Sequence, residues 1–128
     1  MKQQVFLDTN SLMAIGQHNL SLFEELDRLC GKFVKINILQ ATLLELEKIK
    51  TTSRGKDARS AKLVLQIIQE KSKFNLIKIV EKTGYVDDLL VNESKAGALV
   101  VTADLVLQKR LQRPFIIVKQ HQYLELKE

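Results

Sequence analysis

The chain contains no tryptophan, one cysteine, one proline and five glycines, and aromatic residues make up only 5% of it. The lone cysteine, Cys30, excludes an internal disulfide, and its place among leucines favours a packed thiol over a reactive one. Scarce glycine and proline predict short loops. So few aromatic side chains also disfavour extensive base stacking, so a nucleic-acid ligand would be recognised mainly through its backbone and shape.

Long apolar runs are absent as well. The longest contain only a few residues, far short of the roughly 20 that a membrane-spanning helix requires. The first apolar run, Val5–Leu7, meets Asp8 at once, unlike the core of a signal peptide. We therefore expect a cytoplasmic protein with no membrane partner.

Length and composition predict a single domain spanning residues 1–128. Apolar residues make up 45% of the sequence, enough for a hydrophobic core, and charged residues make up 27%. The formal net charge is +5. A basic protein of this kind suits a polyanionic ligand.

Apolar periodicity predicts alternating strands and helices. The predicted strands lie near Val5–Leu7, Phe33–Ile38, Leu76–Val80, Leu99–Thr102 and Phe115–Val118. The predicted helices lie near Asn10–Ile15, Ser21–Cys30, Ala41–Lys50, Lys56–Lys73, Val86–Lys95 and Leu105–Leu111. This alternation indicates an α/β fold with a mainly parallel sheet and right-handed crossovers.

Two of the predicted strands lead into an aspartate. Asp8 follows the first strand directly, and Asp104 follows Leu99–Thr102 after one intervening residue. Ligands of open α/β sheets bind beyond the carboxyl ends of the strands. The two side chains therefore predict an acidic pocket that needs a cation. The alternative for each aspartate is a helix N-cap, because a predicted helix follows both.

Three further carboxylates belong to the same hypothesis. Glu45 borders the buried face of its predicted helix, a costly position for a carboxylate unless it is paired or bound to metal. Asp87 and Asp88 precede the apolar run Leu89-Leu90-Val91. The alternatives are a Glu45 that reaches solvent or an ion pair, and an aspartate pair that only complements the helix dipole.

Carboxylate oxygens in one pocket suit Mg²⁺ or Mn²⁺. Such an ion lowers the pKa of a bound water and offsets charge on phosphate oxygens, which is the chemistry of phosphodiester hydrolysis. No other catalytic set competes. The sequence has no glycine-rich phosphate loop and no serine-nucleophile motif, and His18 and His121 lack partners at metal-ligand spacing.

Basic residues, beginning with Lys48 and Lys50, cluster around the polar segment 51–55, which predicts a flexible break between two helices. Arg54 lies in this break, and Lys56, Arg59 and Lys62 follow at three-residue spacing on one helical face. A second group, Lys109, Arg110 and Arg113, follows Asp104. Each group is either a solvated surface or a rim that contacts phosphates. We predict that Arg54, Lys56, Arg59 and Lys62 bind nucleic acid.

Taken together, these motifs resemble a PIN-domain nuclease over nearly the whole chain. The resemblance rests on Leu7-Asp8-Thr9-Asn10, Leu44-Glu45-Leu46, Asp87 before Leu89-Leu90, and Thr102-Ala103-Asp104. It implies a metal-dependent ribonuclease with a three-layer α/β/α sandwich around a central parallel five-stranded sheet. The ending Pro114–Val118 followed by Tyr123–Leu126 is most similar to archaeal relatives of the PIN nuclease that processes small-subunit precursor rRNA.

The resemblance also implies residue roles. The catalytic and metal-binding carboxylates would be Asp8, Glu45, Asp87 and Asp104, with Asp88 as an alternative to Asp87. Asn10 and Thr102 would support them. Ala103 departs from the family pattern, in which an asparagine commonly precedes the last aspartate, and this would weaken the orientation of Asp104.

The sequence thus predicts a metal-dependent endoribonuclease that uses Mg²⁺ or Mn²⁺ to hydrolyse RNA in rRNA processing. Its expected partner is single-stranded or structured rRNA. Two alternatives stay open: a VapC-type toxin ribonuclease, whose partner would be an antitoxin, and a PIN-fold scaffold that binds RNA or protein with little catalysis. For the oligomeric state, a homodimer of this chain stays open as an alternative to a monomer.

Overall fold

The protein alternates strands and helices, and the structure, a computed structural model, describes residues 2–128. The strands are β1 (Gln3–Leu7), β2 (Val34–Leu39), β3 (Lys78–Val80), β4 (Leu99–Thr102), β5 (Phe115–Lys119) and β6 (Tyr123–Lys127). The helices are α1 (Thr9–His18), α2 (Leu22–Cys30), α3 (Gln40–Thr52), α4 (Lys56–Lys73), α5 (Val86–Lys95) and α6 (Leu105–Gln108). The predicted α/β class is confirmed.

The strands form one sheet with the order β3-β2-β1-β4-β5-β6. The five predicted strands pair in parallel, as expected. A sixth strand, β6, pairs antiparallel with β5 and is absent from the predicted strands. The turn between them passes through Gln120 and His121, which have φ values of 53° and 58°. Because hairpin turns with positive φ usually carry glycine or Asn-Gly, these residues give no turn signal.

Several elements end at different residues from those predicted. Helix α1 continues past Ile15 to His18, where Asn19 provides a left-handed C-cap with φ of 55°. Helix α6 stops at Gln108 and does not reach Leu111. These differences lie at element ends, where local capping decides the boundary.

Side chains of β1 alternate between two hydrophobic clusters on opposite faces of the sheet. Val5 and Leu7 pack with residues of α1, α2, α3 and α4. Phe6 packs with residues of α5 and α6 on the other face. The sheet therefore lies between two helical layers, which confirms the predicted three-layer sandwich. Within residues 2–128 no helix is long and apolar enough to span a membrane.

Helix α1 packs closely on α4 where Gly16 meets Ser60. A Cβ atom at position 16 would lie 2.5 Å from the Cβ of Ser60. Only glycine allows the two helices to approach this closely. The contact fixes α1, which begins immediately after Asp8.

The strand order reverses between β1 and β4. Strands β2 and β3 extend the sheet on one side of β1, whereas β4 and β5 extend it on the other. In open α/β sheets the crevice at such a reversal, beyond the carboxyl ends of the strands, is where ligands bind. Asp8 follows β1 and Asp104 closely follows β4 at this edge.

Candidate functional site

Asp8 is buried at the end of β1 and caps α1. Its carboxylate Oδ1 accepts a hydrogen bond from the backbone N–H of Ser11 at 2.7 Å, and Oδ2 accepts one from the hydroxyl of Thr102. Only 4% of Asp8 is exposed. Burial raises the pKa of Asp8 from its usual 3.8 to about 6, against the lowering effect of these hydrogen bonds, and the nearby negative charge of Asp104 raises it further. Asp8 is therefore an N-cap whose carboxyl group has a raised pKa.

Asp104 caps the short helix α6. Its Oδ1 accepts hydrogen bonds from the backbone N–H groups of Val106 at 2.8 Å and Leu107 at 3.2 Å. Its own backbone N–H donates to the hydroxyl oxygen of Thr102 at 2.9 Å. The capping alternative is thus realised at both aspartates, and the same Thr102 hydroxyl contacts both of them.

Glu45 lies on the exposed side of α3 and is tied to the start of α1. Its Oε1 accepts a hydrogen bond from the hydroxyl of Thr9, the residue after Asp8. This contact joins α3 to the carboxyl end of β1. It also gives Glu45 a hydrogen-bonding partner on the same side of the fold as Asp8.

The carboxylates meet in a cavity of about 360 Å³ at this edge of the sheet. Its lining residues are Asp8, Thr9, Asn10, Glu45, Lys48, Ile49, Val86, Asp87 and Asp104. They come from the starts of α1, α5 and α6 and from the middle of α3. Four carboxylates that are distant in sequence therefore share one solvent-accessible space.

The four carboxylates are spread around the cavity rather than clustered. Across residues 2–128, no three histidine, cysteine, aspartate or glutamate side chains lie close enough together to hold one ion. Mg²⁺ commonly binds through one or two carboxylates and keeps several waters, leaving the remaining positions to substrate phosphate. An all-oxygen donor set around an open cavity fits that mode of binding.

Asp87 and Asp88 have different environments. Asp87 lines the cavity. Asp88 instead forms an ion pair with Arg110 across a distance of 2.7 Å and is not among the cavity-lining residues. The structure thus brings Asp87, and not Asp88, to the other three carboxylates.

Four cavity residues fall outside the set of predicted site residues: the polar Thr9 and Lys48 and the apolar Ile49 and Val86. Lys48 follows Glu45 by three positions, a spacing that places both on one face of α3. That spacing is the available signal, but a lysine beside Glu47 and Lys50 is more often solvated. Thr9 gives no signal in the sequence, since its role depends on the position of Glu45.

The predicted nucleic-acid-binding residues divide between two places. Arg54 lies in the turn between α3 and α4, and Lys56 and Arg59 are exposed on the first turns of α4. Lys62 lies in a separate groove between α3 and α4, together with Glu47 and Lys50. The shared helical face therefore does not keep all four residues on one rim.

The two histidines lie outside the cavity. The rings of His18 and His121 stack with their centroids 3.8 Å apart. Neither residue lines the acidic cavity. Stacked rings in this arrangement give no support to a histidine-based metal site.

Comparison with known proteins identifies the family. Residues 5–121 match the family described as PIN like domain. A search of curated proteins finds no match. Among solved structures, the fold is similar to that of the PIN domain endonuclease Utp24, with a TM-score of 0.75 and 22% identity over 97% of this chain and 90% of that chain.

Two other solved structures share the fold. One is a domain of a functionally unknown protein from Methanocaldococcus jannaschii, with a TM-score of 0.57 and 21% identity over 84% of this chain and 82% of that chain. The other is VapBC2 from Rickettsia felis bound to a promoter DNA fragment, with a TM-score of 0.60 and 20% identity over 90% of this chain and 97% of that chain. The family match spans most of the sequence, and so this chain belongs to the PIN-like domain family.

Proposed function

We propose that this protein is a metal-dependent endoribonuclease. The observation that carries the proposal is the convergence of Asp8, Glu45, Asp87 and Asp104 on one cavity at the reversal of strand order. Membership of the PIN-like domain family and the fold shared with the endonuclease Utp24 support nuclease chemistry. A phosphodiester is a substrate that such a cavity suits, because oxygen ligands and phosphate oxygens hold the same hard cations.

The carboxylates around the cavity would hold one or two Mg²⁺ or Mn²⁺ ions, each through one or two carboxylates and several waters. Bound there, the ion would supply a nucleophilic hydroxide at neutral pH and offset negative charge on the phosphate. Asp8, Asp87 and Asp104 are the proposed ligands. Glu45 is a further ligand or the base that orients the attacking water, since its carboxylate is exposed at the cavity.

Hydroxyl groups hold these carboxylates in place. Thr102 contacts both Asp8 and the backbone of Asp104, and Thr9 contacts Glu45. Metal ligands oriented by outer contacts of this kind bind more tightly than free side chains. Asn10 lines the cavity, where its amide is available to a ligand or to substrate.

Basic residues near the cavity are the proposed contacts for RNA phosphates. Among the described residues that line the cavity, Lys48 is the only cation. Arg54, in the turn after α3, and Lys56 and Arg59, on the first turns of α4, would extend this contact along the RNA backbone. Lys62 lies in the neighbouring groove, and only a longer RNA would reach it.

We propose rRNA as the substrate, on the resemblance to relatives of the small-subunit precursor rRNA nuclease. The second candidate is a toxin ribonuclease, which the fold shared with VapBC2 favours. A cognate antitoxin encoded beside this protein would support the toxin. RNA binding that survives chelation, without cleavage in manganese, would support a scaffold.

The chemistry of the product ends tests the proposal. Purified protein is incubated with single-stranded RNA in Mn²⁺ or in a chelator, and the new ends are sequenced and tested for 2′,3′-cyclic phosphate. Attack by water leaves no cyclic phosphate, whereas attack by the RNA 2′-hydroxyl does. We expect manganese-dependent cleavage without cyclic ends. Cleavage that persists in the chelator or leaves cyclic ends would contradict the proposal.

A further inference from the structure

Tyr85 is an exposed aromatic residue that directly precedes two lining residues of the acidic cavity in the chain. Its side chain is 83% exposed. The next two residues of the chain, Val86 and Asp87, both line the cavity. An aromatic ring that faces water beside a phosphodiester site is a surface on which a base can stack.

The backbone of Tyr85 is held in one orientation. Tyr85 is the N-cap residue of α5, and its carbonyl oxygen accepts a hydrogen bond from the N–H of Leu89 at 3.0 Å. Gly84, directly before it, has φ of +134°, a conformation that favours glycine. The ring is therefore attached to backbone that is anchored at the start of a helix.

Besides Tyr85, two exposed apolar residues lie at the same edge of the sheet. Leu105 is 72% exposed and Val106 is 70% exposed, and they follow the cavity residue Asp104. Phosphate groups gain nothing from apolar side chains, whereas the faces of bases do. The surroundings of the cavity thus combine charge for the backbone with apolar surface for a base.

The other exposed phenyl rings lie elsewhere. Phe33 is 82% exposed and precedes β2, so it lies at the amino edge of the sheet, opposite the cavity. Phe74 is 68% exposed at the end of α4. Among the well-exposed aromatic residues, Tyr85 is the one whose neighbours along the chain line the acidic cavity.

We propose that Tyr85 stacks on an unpaired base next to the phosphodiester held in the cavity. This inference rests on the proposed function and narrows its substrate to single strands and loops. A base inside a continuous duplex is already stacked and paired, so it is unavailable to the ring. Because every base has an aromatic face, Tyr85 selects unpaired RNA without reading its sequence.

Tyrosine fluorescence reports on this contact directly. The sequence has two tyrosines, Tyr85 and Tyr123, and no tryptophan. In a Tyr123→Phe variant all tyrosine emission therefore comes from Tyr85. The variant is titrated in a chelator with an oligoadenylate of about 12 nucleotides, within the usual site sizes for single strands, or with an abasic oligomer of equal charge. N-acetyltyrosinamide corrects for light absorbed by the RNA.

We expect the oligoadenylate to quench the emission of Tyr85 and the abasic oligomer to leave it unchanged. Quenching by both would overturn the inference, because it would reflect charge and not stacking. Absence of quenching at saturating oligoadenylate would also overturn it.

Affinity measurements provide the second test. Tyr85→Ala should weaken binding of the oligoadenylate roughly 5- to 150-fold, the range expected for loss of one stacked base. Tyr85→Phe should bind like wild type because it keeps the ring. Phe33→Ala is the matched control, since it removes an equally exposed ring from the opposite edge. Melting temperatures of all variants, which alter exposed side chains, should stay close to that of wild type.

Unchanged affinity in Tyr85→Ala would overturn the inference. So would a loss confined to Phe33→Ala, which would place the RNA in the cleft of about 1000 Å³ at the opposite edge, lined by Lys2, Lys32, Lys35, Lys71 and Lys78 among other residues. Both tests exclude metal, so they separate this inference from the proposed function. Stacking without cleavage in Mn²⁺ would refute the function alone, and cleavage without stacking would refute the inference alone.

Discussion

The hydroxyl of Thr102 donates a hydrogen bond to the carboxylate of Asp8, although the two residues are 94 positions apart in the sequence. Thr102 is fully buried and Asp8 nearly so. The same hydroxyl oxygen accepts a hydrogen bond from the backbone N–H of Asp104 at 2.9 Å. One side chain thereby sets the relative positions of the aspartates that follow β1 and β4.

Thr102→Val should destabilise the protein by about 1–3 kcal/mol, because it leaves buried polar groups without a partner while keeping the shape of the side chain. It should also raise the pKa of Asp8 further, since the hydrogen bond from Thr102 holds that pKa down. Urea unfolding measures the change in stability. Thr102→Ser keeps the hydroxyl and should lose less stability than Thr102→Val. Equal losses in the two variants would show that the hydroxyl contributes nothing.

The raised pKa of Asp8 makes stability depend on pH. Its folded pKa of about 6 lies above the usual 3.8, so its protonated form favours folding. The resulting stability is fully present below pH 3.8 and is lost as pH rises through 6. In metal-free protein this loss amounts to about 3 kcal/mol.

Asp8→Asn removes that dependence. The asparagine oxygen can still accept from Ser11, and its amide can donate to Thr102, so the fold should persist. We expect the free energy of unfolding of the variant, minus that of wild type, to rise by about 2.4 kcal/mol between pH 4 and pH 7.5, since part of the loss in wild type has already occurred by pH 4. Denaturant unfolding in a chelator measures the difference. A difference that stays constant across this range would show that folding does not raise the pKa of Asp8.

Divalent metal should raise the melting temperature of wild type. A ligand that binds only the folded state stabilises it by about 2.7 kcal/mol when present at 100 times its dissociation constant. The double variant Asp8→Asn, Asp104→Asn should show no such rise, because it lacks two of the proposed ligands. Differential scanning fluorimetry in Mg²⁺, Mn²⁺ and chelator measures the shift. A shift of equal size in the double variant would place the ions elsewhere.

Arg54, Lys56 and Arg59 should act on RNA through its phosphates. Replacing all three with alanine should weaken binding of two unrelated RNAs about equally. Each lost contact should lower the slope of log affinity against log salt by roughly 0.7 for a single strand. A salt series in chelator measures both quantities. An unchanged slope would move the RNA path towards Lys109 and Arg113, and weakened binding of only one RNA would mean that these residues read bases or shape.

The fold was largely predictable because apolar runs and strand ends are local features. The run Val5–Leu7 is buried on both faces of the sheet, as a central parallel strand must be. Asp8 and Asp104 were predicted to meet because parallel strands deliver their carboxyl ends to one edge. Strand β6 was missed because its turn uses left-handed Gln120 and His121.

The remaining details of the candidate site depend on contacts distant in sequence. Asp87 and Asp88 are neighbours at a helix start, and only the ion pair of Asp88 with Arg110 separates their environments. Lys48 lines the cavity together with Glu45, which lies three positions earlier on α3. The hydrogen bond between Thr9 and Glu45 spans 36 positions. Periodicity and spacing carry no information about the ion pair of Asp88 or the hydrogen bond of Thr9, and for Lys48 they give only its spacing from Glu45.

The rates of manganese-dependent RNA cleavage by Asp87→Asn and Asp88→Asn test the central claim most directly. These adjacent, chemically identical changes differ in whether the residue lines the cavity. Asp88→Asn also removes the ion pair with Arg110, but both side chains of that pair are exposed, so its loss should cost little stability. The account predicts that Asp87→Asn is slowed at least about 100-fold, as expected for a carboxylate that supports metal-assisted hydrolysis, and that Asp88→Asn stays near the wild-type rate. Wild-type activity in Asp87→Asn, or an equal loss in both variants, would contradict it.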